Sequence, residues 1–242
     1  MSTSINRLQM MKKVLILLLI VCALPSAKSQ VGFGYRIGHG SYKMSAMSSL
    51  LVQIQRDLQQ EFPVPMMVTD DFPNHYNHFA EVSYSKRNSD LGVNFTYLST
   101  GGRVAYSDYS GELAYNLHAV GYRFGLHYRN FYFQTNPDQD KNLSLFIELS
   151  PGITQNDISS EGYYRTETGR NELAEKYMIN SKSTGLSINA YNGIQWNIIR
   201  SFGINLGVGY QAELSGKVKD SDTKIDWSGL RVGLGLNYKF VP

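Results

Sequence analysis

The sequence predicts an all-β fold, a transmembrane antiparallel up-and-down β-barrel of eight strands with a helix in the first extracellular connection. Three observations predict it: eight segments in which apolar and polar residues alternate, a targeting segment at the N-terminus, and connections that alternate between long and short. The composition agrees, because 17 tyrosines and 22 glycines among 242 residues favour many short strands and turns over long helices. The single cysteine, Cys22, excludes a disulfide scaffold.

Residues 1–29 are predicted to be a secretory signal peptide, and residues 30–242 the mature barrel. The apolar run at 14–24 is shorter than the about 20 residues that span a bilayer, but it suits the apolar core of a signal peptide. Ala27 and Ser29 then place small residues at the positions that a signal peptidase reads. Removing four of the 23 basic residues with this segment leaves 19 against 20 acidic ones. A chain so close to neutral gives no reason to expect nucleic-acid binding.

The C-terminal segment shows the alternation most clearly. Because successive side chains of a strand point to opposite sides, residues 229–240 place only large apolar side chains on one face and glycine or polar residues on the other. Seven further segments alternate around residues 31–38, 79–84, 92–97, 122–128, 143–150, 184–197 and 202–211. A series of about ten-residue segments, apolar outside and polar inside, is typical of a transmembrane barrel.

The connections predict how the barrel is oriented. The odd connections, at 39–76, 108–111, 152–183 and 214–227, are predicted to be extracellular. The even ones, at 86–90, 135–141 and 198–201, are short and predicted to be periplasmic turns. Residues 91–108 and 112–133 are predicted to form one tall hairpin that projects beyond the outer leaflet, with a bulge near Gly121. A barrel of ten strands is the alternative.

These patterns resemble the small outer-membrane β-barrel proteins of Gram-negative bacteria, in the eight-stranded porin-like superfamily. The junction after Ser29 and the tyrosine-rich strands are most like the Bacteroidetes-type members. The resemblance covers nearly all of residues 30–242 and implies a place in the cell outer membrane, contact with its lipid and lipopolysaccharide, and insertion by the barrel-assembly machinery. In that family a terminal Phe, after alternating aromatics, is the assembly signal; Phe240 and Tyr238 match it, although Val241 and Pro242 follow.

The inward face of the predicted barrel carries charges. An eight-stranded barrel has an interior just wide enough for side chains to fill, and buried charges are costly unless they pair. We therefore expect a lumenal polar network around Glu81 and Glu148. Its predicted members are Arg36, Glu81, Arg123, His127, Arg129, Glu148, Arg231 and Lys239. Inward glycines of the last two strands are expected to make room for Phe79, Phe146 and Tyr191.

Two further sets of residues are predicted from spacing. The outward aromatics Tyr35, Tyr84, Tyr128, Trp196, Tyr210, Tyr238 and Phe240 are candidates for the aromatic girdles at the membrane interfaces. Residues 43–61 predict a helix whose apolar face consists of Met44, Met47, Leu51, Ile54 and Leu58. This helix could cap the barrel mouth, dock a partner or lie in the outer-leaflet interface. The charges of both signs in 152–183 predict a solvated loop with a short helix near 171–177.

Motifs for enzyme chemistry are nearly missing from the sequence. His75 and His78 form a weak HxxH pair, and no zinc-protease, phosphate-loop or serine-hydrolase motif appears. We therefore predict a non-enzymatic barrel without catalytic, cofactor or metal residues. Its lumen would be mostly plugged, and its loops would serve interaction, or it would be an accessory subunit of a larger outer-membrane complex. Alternatives are a narrow channel for small solutes or hydrophobic ligands, and a lipid-A-modifying enzyme that uses His118 and Ser99.

Overall fold

The computed structural model describes residues 30–135, 141–174, 177–215 and 224–240. The predicted signal peptide with Cys22, most of the predicted turn at 135–141, and Val241 and Pro242 lie outside these residues. The chain forms one helix, α1 (Ser45–Glu61), within the described ranges. The strands are β1 (Gln30–Gly40), β2 (Met67–Asp71), β3 (His75–Lys86), β4 (Ser89–Asp108), β5 (Gly111–Gln134), β6 (Asn142–Thr166), β7 (Gly169–Glu172), β8 (Asn180–Ile199), β9 (Phe202–Glu213) and β10 (Gly229–Lys239).

Eight of these strands close into a barrel. Every pairing is antiparallel, the neighbours run β1, β3, β4, β5, β6, β8, β9 and β10, and β10 pairs again with β1. The two remaining strands stay outside the ring, because β2 pairs with β4 and β7 pairs with β6. The predicted up-and-down barrel of eight strands is confirmed, and the alternative of ten barrel strands is wrong.

The outer surface carries a continuous apolar band. On β6 the outward row runs from Leu143 to Ile153 before polar residues replace it. At a rise of about 3.3 Å per residue and a tilt of about 40°, this row spans about 25 Å along the barrel axis, which matches the apolar band of membrane barrels. Leu206 and Leu234 lie in the same band and are 54% and 53% exposed. Such large apolar side chains pointing outward make this the surface of a barrel that spans the outer membrane.

The tall hairpin is confirmed, but the bulge near Gly121 is wrong. β4 and β5 pair without a register shift from Ser89 and Asn130 up to Asp108 and Gly111. The register shift in β5 lies instead between Phe131 and Phe133, where β5 pairs with β6.

Along β5 the apolar residues change from the outward row to the inward row, and this change does not result from a bulge. Inside the band the inward row of β5 is polar, with Arg123, His127 and Arg129. Beyond the band the same row becomes apolar, with Tyr115 and Leu117 fully buried. Beyond the band the inner face of the wall packs on an apolar core and the outer face is expected to meet water. The inward row is therefore apolar there, and the outward row is polar.

The connection at 152–183 is not a loop. β6 continues to Thr166, where the chain turns back, and the returning strand β7 pairs with the end of β6. Asn171 and Glu172 belong to β7, so the short helix expected near 171–177 does not begin there; a single 3₁₀ turn follows, in which Tyr177 N donates to the Ala174 carbonyl at 3.0 Å, and residues 175–176 lie outside the described part of the chain. The charged residues in this part of β6, Asp157, Glu161 and Arg165, all lie on its outward row, as expected of a strand whose outer face is solvated.

The turn at 86–90 is shorter than predicted. β3 ends at Lys86, and β4 begins at Ser89, so Arg87 and Asn88 alone connect them. Arg87 has φ 54°, the left-handed conformation that such tight turns require. Asp90 therefore belongs to β4, on its inward row.

Beyond the band, β2, β7 and the upper parts of β4, β5 and β6 form a sheet that carries α1 on its inner side; we call this part the platform. The predicted helix face is buried there, since Met44, Met47, Leu51 and Leu58 are at most 4% exposed and Ile54 packs against them. A Cβ on Gly102 would stand 2.7 Å from Leu51 Cδ2 and 3.0 Å from Phe72 Cε2, so a side chain at this position would force both core residues to move. α1 ends at Glu61, before a Pro-Val-Pro sequence that disfavours helix. No helix among the described residues is long and apolar enough to cross a membrane.

Candidate functional site

The lumen at the middle of the membrane holds a cluster of buried ions. Glu148 on β6 lies directly opposite Arg129 on β5, and Arg129 Nη2 is 2.6 Å from Glu148 Oε2. Arg36 reaches the same carboxylate oxygen from β1, with Nη2 at 3.1 Å. The three side chains are at most 6% exposed, so the carboxylate and both guanidinium groups depend on each other for the hydrogen bonds that water would otherwise supply.

Arg129 also joins this cluster to the other side of the lumen. Its Nη2 donates to Glu81 Oε2 at 2.8 Å, and its Nη1 is 3.9 Å from Asp90 Oδ2. Lys239 Nζ approaches Asp90 Oδ1 to 3.4 Å, and His127 Nε2 is 3.7 Å from Glu81 Oε2. Asp90 was not among the predicted network residues, because it fell in the predicted turn at 86–90; its even position on β4, in step with Asn94 and Thr96, was the available signal.

Aromatic rings support the ion cluster. The Arg36 guanidinium lies between two rings, with Cζ 4.3 Å from the centroid of Phe79 and 4.2 Å from that of Tyr191. Phe146 stacks on Tyr191 with centroids 6.5 Å apart. The predicted glycine space exists beside Tyr191, because a Cβ on Gly207 would come within 2.5 Å of the ring. The two rings pack on opposite sides of the Arg36 guanidinium and fill the lumen around it, so they restrict the conformations that this side chain can adopt.

Arg123 forms a second polar layer nearer the outside. Its Nε donates to Ser187 Oγ at 2.9 Å and its Nη1 to Asn94 Oδ1 at 3.0 Å, and Nη2 also reaches Ser150. No ion pair of Arg123 occurs within the described ranges; Glu213 instead lies by Thr154, at 3.5 Å between Oε2 and Oγ1. The predicted network contained only charged residues and His127 from clearly alternating segments. It therefore did not include Asn94, Ser150, Ser187 or Glu213.

Arg231 lies beside Arg123's layer, and the hydrogen bonds of its two terminal nitrogens go to neutral oxygens. Nη1 donates to the carbonyls of Ser41 at 2.6 Å and Leu230 at 3.0 Å, and Nη2 reaches Gln211 Oε1 at 3.4 Å and the Trp227 carbonyl. Of the eight predicted network residues, the structure thus brings six into one cluster, whereas Arg123 and Arg231 form separate layers above it.

An apolar core closes the lumen at the end that carries the platform. Trp227 is fully buried, packs edge-to-face on Tyr42 with centroids 4.9 Å apart, and donates its Nε1–H to Asn156 Oδ1 at 2.7 Å. Above it lies the core between α1 and the sheet of the platform, which includes Leu98, Val104, Leu117 and Ile158. The helix therefore packs as a cap over the barrel mouth, one of the three alternatives open from the sequence.

The exterior carries the predicted girdle and assembly residues. Tyr35, Tyr128, Trp196, Tyr210, Tyr238 and Phe240 all point outward and are 46–52% exposed, and Tyr84 is half-buried on the same surface. Tyr238 and Phe240 contact edge-to-face with centroids 5.1 Å apart, next to the seam where β10 meets β1. Their role in assembly stays a prediction.

The residues considered for enzyme chemistry lie on the outside of the barrel. Ser99 Oγ is 3.4 Å from His75 Nδ1, and His78 Nδ1 is 2.6 Å from the Tyr35 hydroxyl. His118 lies opposite Gly101 and is therefore a diagonal neighbour of Ser99 on the outward face of the hairpin; a joint role for the two stays a prediction. Within the described ranges, no three His, Cys, Asp or Glu side chains are grouped closely enough to hold a metal ion.

Solved structures of small membrane barrels are similar to this chain in overall fold. The attachment invasion locus protein Ail of Yersinia pestis, solved with the heparin analogue sucrose octasulfate, is 14% identical with a TM-score of 0.35, and the match covers 88% of this chain and 97% of Ail. Neisserial surface protein A is 11% identical with a TM-score of 0.40, over 88% and 97% of the two chains. The outer membrane protein OprG from Pseudomonas aeruginosa is 12% identical with a TM-score of 0.41, over 89% and 97%. No family model and no curated protein matches the chain. The barrel is established by its own strand pairing, and the likeness extends to the fold alone.

Proposed function

We propose that this protein is a non-enzymatic outer-membrane barrel with a closed lumen, whose platform interacts with a partner outside the cell. One observation carries the proposal: the lumen is filled at two levels while the wall continues well beyond the membrane band. The ion cluster around Glu148 fills the first level, and the core between α1 and the wall fills the second. A conducting pore would need neither the projecting wall nor the buried helix.

The outer face of the platform supports a role in recognition. Its charges are arranged in cross-strand pairs, with Glu112 between Arg103 and Arg165, and Asp157 Oδ2 3.5 Å from Lys182 Nζ. At the tip Tyr109 is 97% exposed, held by a turn in which Asp108 accepts hydrogen bonds from the Ser110 hydroxyl and amide. The hydrogen bond from the Ser110 hydroxyl, and to a smaller extent that from its amide, lowers the pKa of Asp108. A rigid loop that displays a tyrosine is a suitable anchor for a protein interface.

The placement of the platform can be tested with single cysteines in the mature chain. Tyr109→Cys should react with a membrane-impermeant maleimide on intact cells. Asn88→Cys, in the tight turn between β3 and β4 and so at the opposite end of strand β4, should react only after the outer membrane is permeabilised. The reverse pattern would overturn the proposed orientation.

Closure of the lumen can be tested by conductance. The purified protein in planar bilayers should give no steady single-channel steps, and such steps would favour the narrow-channel alternative. Photo-cross-linking from position 109 in native membranes should capture a neighbour, whereas cross-linking from Asn88 should not capture the same one. A stoichiometric outer-membrane partner would favour the accessory-subunit form of the proposal; lipopolysaccharide and the barrel-assembly machinery are further proposed contacts.

A further inference from the structure

A small cavity lies in the lumen between the ion cluster and the platform. Two residue rows border it, and each of these rows carries one arginine. Gly38 on β1 pairs with Gly233 on β10, so this row of the wall contributes no side chains to the interior. The rows on either side carry Arg36, opposite Gly235, and Arg231, opposite Gly40. The two guanidinium groups thus border a gap of about 20 Å³.

The lining of this cavity is rich in hydrogen-bond donors. None of its lining residues is acidic, and the side chains with polar atoms are Arg36, Asn77, Thr96, Asn189, Tyr191, Gln211 and Arg231. Three donor atoms among them, Arg36 Nε, Asn77 Nδ2 and Arg231 Nε, are buried without a hydrogen-bond partner in the described parts of the chain, and a fourth, Gln211 Nε2, has the Glu213 carboxyl group beside it. The one unpartnered acceptor of the lining is Asn189 Oδ1. An unpaired buried donor is costly, so this excess of donors calls for an acceptor in the cavity.

The donors are also close to one another. The position of a Cβ on Gly40 would lie 2.9 Å from Arg231 Nη1 and 3.1 Å from Asn77 Nδ2, so both groups border the same point. On the other side, a Cβ on Gly233 would lie 3.0 Å from Arg36 Cδ. The missing Cβ atoms of these glycines therefore keep the space between the donors open.

The charged side chains of the cavity wall are both positive. Arg36 shares its carboxylate partners with Arg129: Glu148 binds both, and Glu81 Oε2 is 4.0 Å from Arg36 Nη2 and 2.8 Å from Arg129 Nη2; neither carboxylate is part of the cavity wall. Arg231 donates its hydrogen bonds to neutral oxygens and forms no ion pair within the described ranges; the Glu213 carboxyl group acts on it only through space and lies outside the cavity wall. A buried guanidinium without a carboxylate partner favours an anion at its free N–H.

We propose that this cavity binds one small inorganic anion, of which chloride is the most abundant example. Its volume suits a single particle of about the size of a water molecule, and chloride is only slightly larger. Organic anions and sulfate are too large. A cation is disfavoured because the two guanidinium groups border the site. The anion would be held by N–H donors from both arginines, with Asn77 and Gln211 completing its surroundings.

The thermal stability of the full mature chain in zwitterionic detergent gives the first test. At constant ionic strength, replacing gluconate by chloride should raise the unfolding midpoint by about 3 °C once chloride exceeds its Kd roughly tenfold. Asn77→Leu and Gln211→Leu each remove a donor without changing the charge, and both should abolish most of this rise. The matched control is Asn205→Leu, a buried lumenal asparagine that bonds Asn237 at 3.1 Å and does not line the cavity. This variant should keep the full response to chloride.

Crystals of the unaltered protein grown with bromide give a second readout that does not depend on a variant folding. An anomalous peak between Arg36 and Arg231 would support the proposal. Water in the cavity without an anomalous peak, together with equal midpoints in chloride and gluconate, would overturn it. An equal rise with sulfate would also overturn it, because that response would be a general salt effect.

Discussion

Arg129 and Glu148 lie directly opposite each other on neighbouring strands, and the guanidinium Nη2 is 2.6 Å from the carboxylate Oε2. The same carboxylate oxygen is 3.1 Å from Arg36 Nη2, on a strand across the lumen. One buried carboxylate thus links strands that are distant in the ring, so the ion cluster fixes the cross-section of the barrel as well as filling it.

Removal of this carboxylate should destabilise the barrel strongly. In Glu148→Gln two buried guanidinium groups lose their shared counter-ion, and we expect a loss of about 3–5 kcal/mol in the free energy of unfolding. Urea unfolding in detergent micelles would measure it. The control is Glu161→Gln, which removes an exposed carboxylate that pairs with Arg170 and should cost less than about 1 kcal/mol. Equal losses in the two variants would contradict the central role of Glu148.

The position of the membrane band predicts the effect of an outward charge. Leu206→Arg places a charge in the middle of the band and should cost about 2–4 kcal/mol. Ser159→Arg places the same charge on the outward row of β6 beyond Ile153, where water is expected, and should change stability little. Both variants can be compared by the temperature at which the folded band is lost in gels of unboiled samples. A similar loss in both would mean that the band is wrongly placed.

The helix α1 is predicted to be part of the core, so its apolar face should be sensitive to truncation. Leu51 is fully buried against β4, and Leu51→Ala should cost about 2–5 kcal/mol. Its neighbour Val52 is 38% exposed, and Val52→Ala should cost much less. Thermal unfolding followed by circular dichroism would measure both. A docking helix that leaves its apolar face free would instead tolerate Leu51→Ala.

The two tryptophans report on the two surroundings. Trp227 is fully buried under α1, whereas Trp196 is 52% exposed on the outer face. In Trp196→Phe the remaining fluorescence should resist acrylamide and brominated lipid alike. In Trp227→Phe the fluorescence of Trp196 should be quenched by brominated lipid in vesicles. Acrylamide quenching of Trp227 at the rate of a free indole would show that the barrel mouth is open.

Much of the fold follows from local pattern. Alternation with period two determines which side chains share a face, and so it placed Arg36, Glu81, Arg129 and Glu148 together on the inner surface. Three-four spacing determined the buried face of α1 in the same way. Turn residues and segment lengths determined the order of the eight strands.

The alternation of apolar and polar residues does not show whether a given face of a strand meets lipid, water or the protein core. On β4 and β5 the inner row is polar beside Arg123 and apolar beside Leu117, because the outside changes from lipid to water along one strand. The sequence analysis explained this change by a bulge at Gly121, which the continuous register excludes.

By itself, then, the sequence determined the eight barrel strands, the faces of those strands inside the band and the helix α1, because these depend on residues a few positions apart. Only the tertiary structure decided which charges meet and which glycines coincide. Asp90 joins Arg129 and Lys239, and Gly38 pairs with Gly233, through a register between strands that are distant in the chain. That register results from closure of the whole ring, and no local run of residues contains it.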